Sequence, residues 1–149
     1  MNPIKIVLAD DHELVRDGIK SLLESEKEFQ VIDEASDGVE ALEVVALKNP
    51  DLLIVDIRMP KMNGLEVVKE MTKSFPHIKK LVLSMHDSEE YVVEAIQAGA
   101  DGYLLKGSSK SEFLKALHTI SNGGKFFAGD ISAYIINNFV NGKAKATSK

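Results

Sequence analysis

The amino-acid sequence predicts an α/β fold, in which a five-stranded parallel sheet is covered by helices on both faces. Five short runs rich in β-branched residues alternate strictly with five longer segments that carry apolar residues at helical spacing. Two of these runs, at residues 6–8 and 52–55, are continuously apolar, which is typical of strands buried on both sides. The length of 149 residues and a hydrophobic content of 44% suit one domain with a core of its own.

The strands are predicted from the apolar runs and from the turn-forming residues around them. In chain order they are Ile4–Ala9, Phe29–Ala35, Leu52–Asp56, Leu81–Met85 and Gly102–Leu105. The second run contains the adjacent acids Asp33 and Glu34, and this mixture of apolar and charged residues favours an edge strand.

The helices are predicted from apolar residues three and four positions apart. These stripes fall at residues 15–23, 42–46, 68–75, 92–96 and 113–120. Three helix starts resemble capping boxes, namely Asp37 with Glu40, Asp87 with Glu90 and Ser109 with Glu112. The pair Gly123-Gly124 predicts the end of the fifth helix.

The chain divides, on this interpretation, into a domain at residues 1–124 and a C-terminal segment at residues 125–149. Ile131, Ile135 and Phe139 recur every fourth residue and predict a further helix over Asp130–Val140. Because its apolar face needs cover, we expect this helix to pack on its own domain or on a second copy. The residues from Gly142 to Lys149 predict a disordered basic linker.

Composition and charge exclude several classes of function. The net charge of −5 argues against direct binding to nucleic acid. The absence of cysteine excludes disulfides, zinc–thiolate sites and thiol nucleophiles. The sequence has no apolar run of membrane-spanning length and no signal peptide, so we expect a soluble, cytoplasmic protein with no membrane partner.

Polar residues that can carry chemistry follow four of the five predicted strands. Asp10 and Asp11 follow the first strand, Asp56 ends the third, Ser84 lies near the end of the fourth, and Lys106 follows the fifth. Ligands of open α/β sheets bind outside the carboxyl ends of the strands, so these side chains are predicted to share one site. Only the predicted edge strand contributes nothing obvious.

Three clustered carboxylates repel one another and need a cation, and oxygen ligands of this kind suit Mg²⁺. A carboxylate beside such an ion can act as a nucleophile toward a phosphoryl group. Lys106 and Ser84 could then stabilise the phosphoryl oxygens. Each residue alone has an ordinary reading as a cap, a turn or a solvated side chain, and the inference depends on all of them sharing the same edge of the sheet.

The sequence resembles the receiver domain of bacterial two-component response regulators over residues 3–122. The resemblance rests on Asp10-Asp11-His12, on residues 56–60 with Gly64, on Ser84, and on residues 102–106. The phrases ADDHELVRDGI, ADGYLLKG and LKALHTISNGG are similar to regulators of the nitrate-response and quorum-sensing type. The resemblance implies a flavodoxin-like, doubly wound sheet with strand order 2-1-3-4-5.

The resemblance also implies a role for each site residue. Asp56 is expected to be the phosphoacceptor and Asp11 a direct ligand of Mg²⁺ or Mn²⁺. Asp10 is expected to support the ion through water, and the backbone carbonyl of Arg58 to be a further ligand. Lys106 is expected to pair with Asp56 or its phosphoryl group.

Further expectations concern switching and dephosphorylation. Ser84 is expected to bind a phosphoryl oxygen, and Tyr103 to report the switch by changing its rotamer. Arg58 and His86 are expected to control the approach of water during dephosphorylation. His12 is expected to be a rim residue without a ligand role. Gly107 departs from the proline that often follows the lysine in this family, and Ser84 replaces the commoner threonine.

The implied protein is a signalling switch that catalyses its own phosphorylation and dephosphorylation, and it is not an enzyme in the ordinary sense. Its expected partners are a sensor histidine kinase and, when phosphorylated, a second copy of itself. DNA would be bound only through a helix-turn-helix domain, which these 149 residues do not include.

Three alternatives stay open on the sequence. A stand-alone receiver without DNA output is one. A phosphatase of the haloacid dehalogenase type is another, although Arg58 stands where that family has its second acid. A nucleotide or flavin binder is the third, but no glycine-rich phosphate loop follows the first strand.

Overall fold

A parallel sheet of six strands lies at the centre of the structure, a computed structural model that describes residues 2–85 and 88–127. The strands are β1 (Ile4–Ala9), β2 (Phe29–Ala35), β3 (Leu52–Asp56), β4 (Lys79–Ser84), β5 (Gly102–Leu105) and β6 (Phe126–Phe127). The helices are α1 (Glu13–Leu23), α2 (Gly38–Lys48), α3 (Gly64–Ser74), α4 (Glu89–Ala98) and α5 (Lys110–Ser121). The predicted helix at Asp130–Val140 and the predicted linker lie outside the described residues, as does His86.

The strand order is β2-β1-β3-β4-β5-β6, and every neighbouring pair is parallel. The predicted α/β class and the order 2-1-3-4-5 are therefore confirmed, and β2 is the edge strand that its charges indicated. The structure adds β6, which pairs with β5 on the opposite side of the sheet. No helix in the described ranges has both the length and the apolarity to cross a bilayer.

Strand β4 is the one strand whose predicted bounds are wrong. It begins at Lys79 and ends at Ser84, two residues and one residue before the predicted bounds. Lys79 and Lys80 pair with Leu52 and Leu53 of β3, so polar side chains start a strand that otherwise has an apolar sequence. The Lys80 side chain is buried and its Nζ donates to Thr72 Oγ1 at 3.2 Å. Burial lowers the pKa of Lys80.

Helix caps confirm most of the predicted starts. Asp37 accepts a hydrogen bond from the Glu40 amide at α2, and Ser109 accepts one from the Glu112 amide at α5. At α4 the cap is Ser88, one residue after the predicted Asp87, and its hydroxyl accepts from the Tyr91 amide.

One complete capping box was not predicted. The Asn63 side chain accepts from the Glu66 amide at the start of α3, and the Glu66 carboxylate accepts from the Asn63 amide. Both bonds are 2.9 Å long. They fix the loop that joins β3 to α3, which is the loop that carries Arg58.

The two faces of the sheet carry separate apolar cores. Helices α1 and α5 cover one face, where Leu23, Phe113 and Leu117 pack on β1, β3 and β4. Helices α2, α3 and α4 cover the other face, where Val45, Met71 and Val92 are buried. All five residues of β3 are buried, as the continuous apolar run predicted. The carboxyl ends of the central strands are therefore held rigidly between two packed layers.

Strand β6 is anchored at the start of β5. The Phe126 amide donates to the Asp101 carbonyl at 3.1 Å, and Lys125 Nζ lies 2.5 Å from Asp101 Oδ1. Phe126 packs with the core on the α1–α5 face, whereas Phe127 packs with the core on the opposite face. This short strand thus pairs with the edge of β5 and contributes one phenylalanine to each core. The sheet therefore continues three residues past Gly124.

Gly64 permits a close approach between the start of α3 and the end of β3. Its amide donates to the Ile57 carbonyl at 2.8 Å, and a Cβ atom on Gly64 would lie 2.0 Å from the Asp56 carbonyl oxygen. Glycine is therefore required here by space, because backbone atoms of Asp56 cannot move without shifting β3.

We predict that Gly64→Ala destabilises the fold by roughly 1–3 kcal/mol, the usual cost of forcing extra atoms into a packed site. The matched control is Gly18→Ala on α1, where a Cβ atom would meet nothing within 4 Å. That control is expected to stabilise the protein by up to about 1 kcal/mol through helix propensity. Urea denaturation measures both, and equal free energies of unfolding for the two variants would contradict the close approach.

Candidate functional site

Three carboxylates meet at the carboxyl edge of the sheet. Asp10 and Asp11 follow β1, and Asp56 ends β3, which pairs directly with β1. Carboxylate oxygens of all three lie, together with a ring nitrogen of His12, within 4.8 Å of one another. Asp10 and Asp56 are 4% and 6% exposed, whereas Asp11 is open to solvent. The predicted convergence of strand ends is thus confirmed for these residues.

Lys106 supplies the positive charge nearest to the two buried acids. Its Nζ lies 2.8 Å from Asp10 Oδ2 and 3.3 Å from Asp56 Oδ2, and its side chain is 10% exposed. The Lys106 amide donates to the Ser84 carbonyl at 2.8 Å, which continues the pairing of β4 and β5 by one residue. The fifth strand therefore delivers the ammonium group to the acids on β1 and β3.

Burial and neighbouring charges shift the pKa values of Asp56 and Lys106. Burial and then the charge of Asp10 raise the pKa of Asp56, although Lys106 partly offsets both. Burial acts to lower the pKa of Lys106, but its bonds to Asp10 and Asp56 outweigh that effect, and the pKa is raised. The ionised form of Asp56 is therefore less favourable in the folded protein than in water, even with Lys106 beside it.

A divalent cation fits this arrangement chemically. The donors are carboxylate oxygens, which Mg²⁺ prefers, and the exposed Asp11 leaves room for water ligands. Three acids against one lysine leave an excess of negative charge that a cation would neutralise. Asp10, Asp11 and Asp56 are the residues that could hold it.

His12 lies at the rim of the cluster, as expected. Its side chain is 65% exposed, and its Nδ1 lies 3.2 Å from Asp10 Oδ1 and 3.1 Å from Asp11 Oδ1. The His12 amide also donates to Asp10 Oδ1 at 2.8 Å. The sequence did not predict these contacts with both acids.

Ser84 and Tyr103 lie on the same face of the sheet. Ser84 pairs with Leu105, and Tyr103 pairs with Val82, so the two side chains are diagonal neighbours on adjacent strands. Ser84 is 1% exposed and Tyr103 is fully buried, in the core beneath α2, α3 and α4. Their placement suits the predicted switch, and their part in switching stays a prediction.

Arg58 follows β3 and is exposed, and its predicted roles stay predictions. It borders a surface depression beside the cluster, which Asp11, Pro60 and Tyr91 also line. The predicted role of His86 concerns a residue outside the described part of the chain. No peptide bond in the described ranges is cis, which includes the bond between Lys106 and Gly107.

Sequence reasoning missed two residues that support the cluster. The Arg16 guanidinium, on the first turns of α1, donates to the backbone carbonyl of Asp10 and to the carboxylate of Glu34 on β2. The available signal was a basic residue close to a helix start, where acidic residues are favoured. Glu34 was read only as a mark of an edge strand.

Comparison with known proteins finds one matching family and several regulatory proteins of similar sequence. Residues 6–118 match the response regulator receiver domain family. The chain is 39% identical over 138 residues to the transcriptional regulatory protein DegU of Brevibacillus brevis, covering 93% of this chain and 58% of that protein. It is 38% identical over 139 residues to the oxygen regulatory protein NreC of Staphylococcus carnosus, covering 93% and 64%. The chain thus spans about three fifths of these relatives.

The structure also resembles a solved structure of a two-component response regulator of the LuxR family from Aurantimonas sp. SI85-9A1. The TM-score is 0.86 at 29% identity, over 93% of this chain and 99% of that one. The similarity therefore extends to the fold of nearly the whole of that solved chain.

We predict that Asp56→Asn raises the melting temperature at pH 7 when no divalent cation is added. The substitution removes a buried charge beside Asp10 and leaves Lys106 paired. Because the folded-state pKa of Asp56 is raised, its contribution to stability is present at low pH and lost as the pH rises through that pKa. The gain from the substitution should therefore be full at pH 7 and shrink toward pH 4.

Differential scanning calorimetry measures this effect, and about 1 kcal/mol corresponds to about 4 °C for a domain of this size. The matched control is Asp17→Asn, an exposed acid on α1 that changes the net charge equally. A melting temperature that is lowered at pH 7, or raised as much by the control, would contradict the buried-charge argument.

Proposed function

The chain belongs to the response regulator receiver domain family, and on that premise we propose that Asp56 accepts a phosphoryl group from a sensor histidine kinase. The observation that carries the proposal is the Lys106 ammonium placed between Asp10 and Asp56, beside the exposed Asp11. The receiver is then a signalling switch of a two-component system. Its partner kinase supplies the phosphoryl group, and the surface that changes on phosphorylation passes the signal on to a further partner.

The proposed reaction is an in-line displacement at phosphorus. An Asp56 carboxylate oxygen forms the new bond to phosphorus while the bond between phosphorus and the donor atom breaks. The donor atom, an imidazole nitrogen of the kinase or the acyl oxygen of acetyl phosphate, leaves with the electron pair of that bond. Lys106 lies 3.3 Å from Asp56 and can bind an oxygen of the transferred group. The hydroxyl of Ser84, at the end of the neighbouring strand, is proposed as a donor to another.

The chemistry that Mg²⁺, or Mn²⁺ in its place, supplies when bound is charge neutralisation between the acids and the incoming phosphoryl oxygens. We assign Asp11 and Asp56 as direct ligands because Asp11 is exposed and Asp56 lies beside it. Asp10, already bound to Lys106 and the His12 amide, acts through water. The Arg58 carbonyl is proposed as a further ligand.

Switching is proposed to follow from the new charge on Asp56. Phosphorylation adds about two negative charges, and Ser84 is drawn toward them. Because Tyr103 lies diagonally behind Ser84 on the same face, that movement changes the space available to its ring. The surface around α4 and β5 then changes, which links a local charge to a surface that a partner can read.

The proposed output is control of transcription. The relative DegU is called a transcriptional regulatory protein, and the chain covers 58% of it, so a DNA-binding part would lie in the remaining length. The alternative is a stand-alone receiver. The phosphatase alternative is weakened by Arg58, which puts a cation where the second acid would be needed. Control of dephosphorylation by Arg58 and His86, the cytoplasmic location and the division at Gly124 stay predictions.

We predict that acetyl phosphate phosphorylates the protein only when Mg²⁺ is present, and that Asp56→Asn abolishes the product. Asp11→Ala should reduce phosphorylation strongly because a direct ligand is lost, whereas the exposed Asp17→Asn should behave like the parent. Intact-protein mass spectrometry detects the added phosphoryl mass of about 80 Da. Equal phosphorylation of the Asp56→Asn variant, or full phosphorylation in excess chelator, would show that the assigned site is wrong.

We also predict that the phosphorylated protein is a homodimer, since two-fold protein symmetry matches the paired half-sites of DNA operators. Sedimentation velocity of the full chain compares the untreated protein with the protein treated with beryllofluoride and Mg²⁺. A mass close to twice 16.3 kDa is expected after treatment. A single monomer in both samples across the concentration range would rule out the dimer, and Asp56→Asn serves as the untreatable control.

A further inference from the structure

Arg16 makes two directed contacts that tie the acidic cluster to the edge of the sheet. Its Nε donates to Glu34 Oε1 at 2.8 Å, and its Nη1 donates to the backbone carbonyl of Asp10. The Arg16 side chain is only 15% exposed, so the guanidinium is held between α1 and β2 and does not extend into solvent. A planar guanidinium can make both contacts at once, which an ammonium group cannot do with the same geometry.

These contacts complete the fixation of Asp10. Its amide donates to the Ala35 carbonyl at 3.0 Å, its two carboxylate oxygens contact His12 and Lys106, and its carbonyl accepts from Arg16. The carbonyl of Asp10 belongs to the same rigid peptide group as the amide of Asp11. Arg16 therefore fixes the orientation of the peptide plane that joins Asp10 to the exposed Asp11.

Glu34 holds Arg16 in this position and is itself held by a second cation. Lys20 Nζ lies 2.7 Å from Glu34 Oε2, so the two carboxylate oxygens bind two different cations of α1. The hydrogen bond from Lys20, together with that from Arg16, lowers the pKa of Glu34. The edge strand, for which the sequence predicts no obvious contribution to the site, thus supports the site through α1.

We propose that Arg16, oriented by Glu34, is a positioning residue that sets the Asp10–Asp11 peptide so that Asp11 can bind the divalent cation together with Asp56. The inference rests on the proposed function, because it concerns the cation that the acids are proposed to hold. Arg16 does not touch the cation or the phosphoryl group. It acts through the backbone of Asp10, as supporting hydrogen bonds commonly act on metal ligands.

Electrostatics alone predicts the opposite effect, which makes the inference testable. Arg16 is a cation beside three acids, so its removal would by itself strengthen the binding of Mg²⁺. If its hydrogen bond to Asp10 positions Asp11, removal weakens the binding despite the lost repulsion. The sign of the change in affinity therefore separates the two roles.

The experiment measures Mg²⁺ affinity by titration calorimetry at 0.1 M salt for the full chain and three variants. Arg16→Ala removes the side chain, and Arg16→Met keeps most of its apolar stem so that packing on α1 is retained. Lys20→Met is the matched control, because it removes one cation from the same helix and from the same Glu34 but makes no contact with Asp10. Thermal melts define a temperature at which every variant is folded.

We expect both Arg16 variants to bind Mg²⁺ about tenfold more weakly, the lower end of the range for residues that support metal ligands. Lys20→Met should bind as tightly as the parent or slightly more tightly. The ¹⁵N shift of the Asp11 amide, which reports a hydrogen bond to the Asp10 carbonyl, should change in Arg16→Met and not in Lys20→Met, even without metal.

Affinities of the Arg16 variants equal to or above that of the parent would overturn the positioning role. Equal weakening by Lys20→Met would also overturn it, since a general effect of α1 charge would then explain the loss. A parent that binds no Mg²⁺ would contradict the proposed function itself, and this result is read from the parent alone.

Discussion

Two buried carboxylates that share one ammonium group determine the electrostatics of this site. Asp10 and Asp56 lie close together because β1 and β3 are neighbours in a parallel sheet, and Asp10 directly follows β1 whereas Asp56 ends β3. Burial makes their repulsion costly, and Lys106 relieves only part of it. The surrounding packing therefore holds together two acids whose charges only one lysine offsets. The three acids of the cluster outnumber the lysine that pairs with two of them, so the site carries excess negative charge.

The positions of these acids could be predicted because they follow from the topology. Continuous apolar runs identify buried strands, strict alternation with helices makes the strands parallel, and parallel strands bring their carboxyl ends to one edge. These three inferences are enough to predict the positions of Asp10, Asp56 and Lys106. The resemblance to a known family added their roles, but the convergence itself was accessible from the pattern of residues.

The parts that escaped prediction depend on contacts between residues distant in sequence. Lys80 looks like a solvated residue before a strand, yet Thr72 and Asp101 allow it to lie inside. Strand β6 has only two residues and no alternation, so its pairing depends on Asp101 and on the missing side chain of Gly102. Arg16 and Glu34 are 18 residues apart and meet because α1 packs beside β2. Local sequence patterns do not show which distant residues will meet.

Strand β6 pairs with the edge of β5, and its orientation also determines where the described part of the chain ends. Because it runs parallel to β5, with Phe127 opposite Tyr103, β6 points toward the edge of the sheet that carries Lys106. Lys106 is three positions after Tyr103, a rise of about 10 Å along a strand. The last described residue therefore lies on the flank of the sheet, paired with the strand that contains Tyr103 and leads to Lys106. A strand of only two residues thus brings the described chain back alongside β5, the strand that joins the buried Tyr103 to the lysine of the acidic cluster.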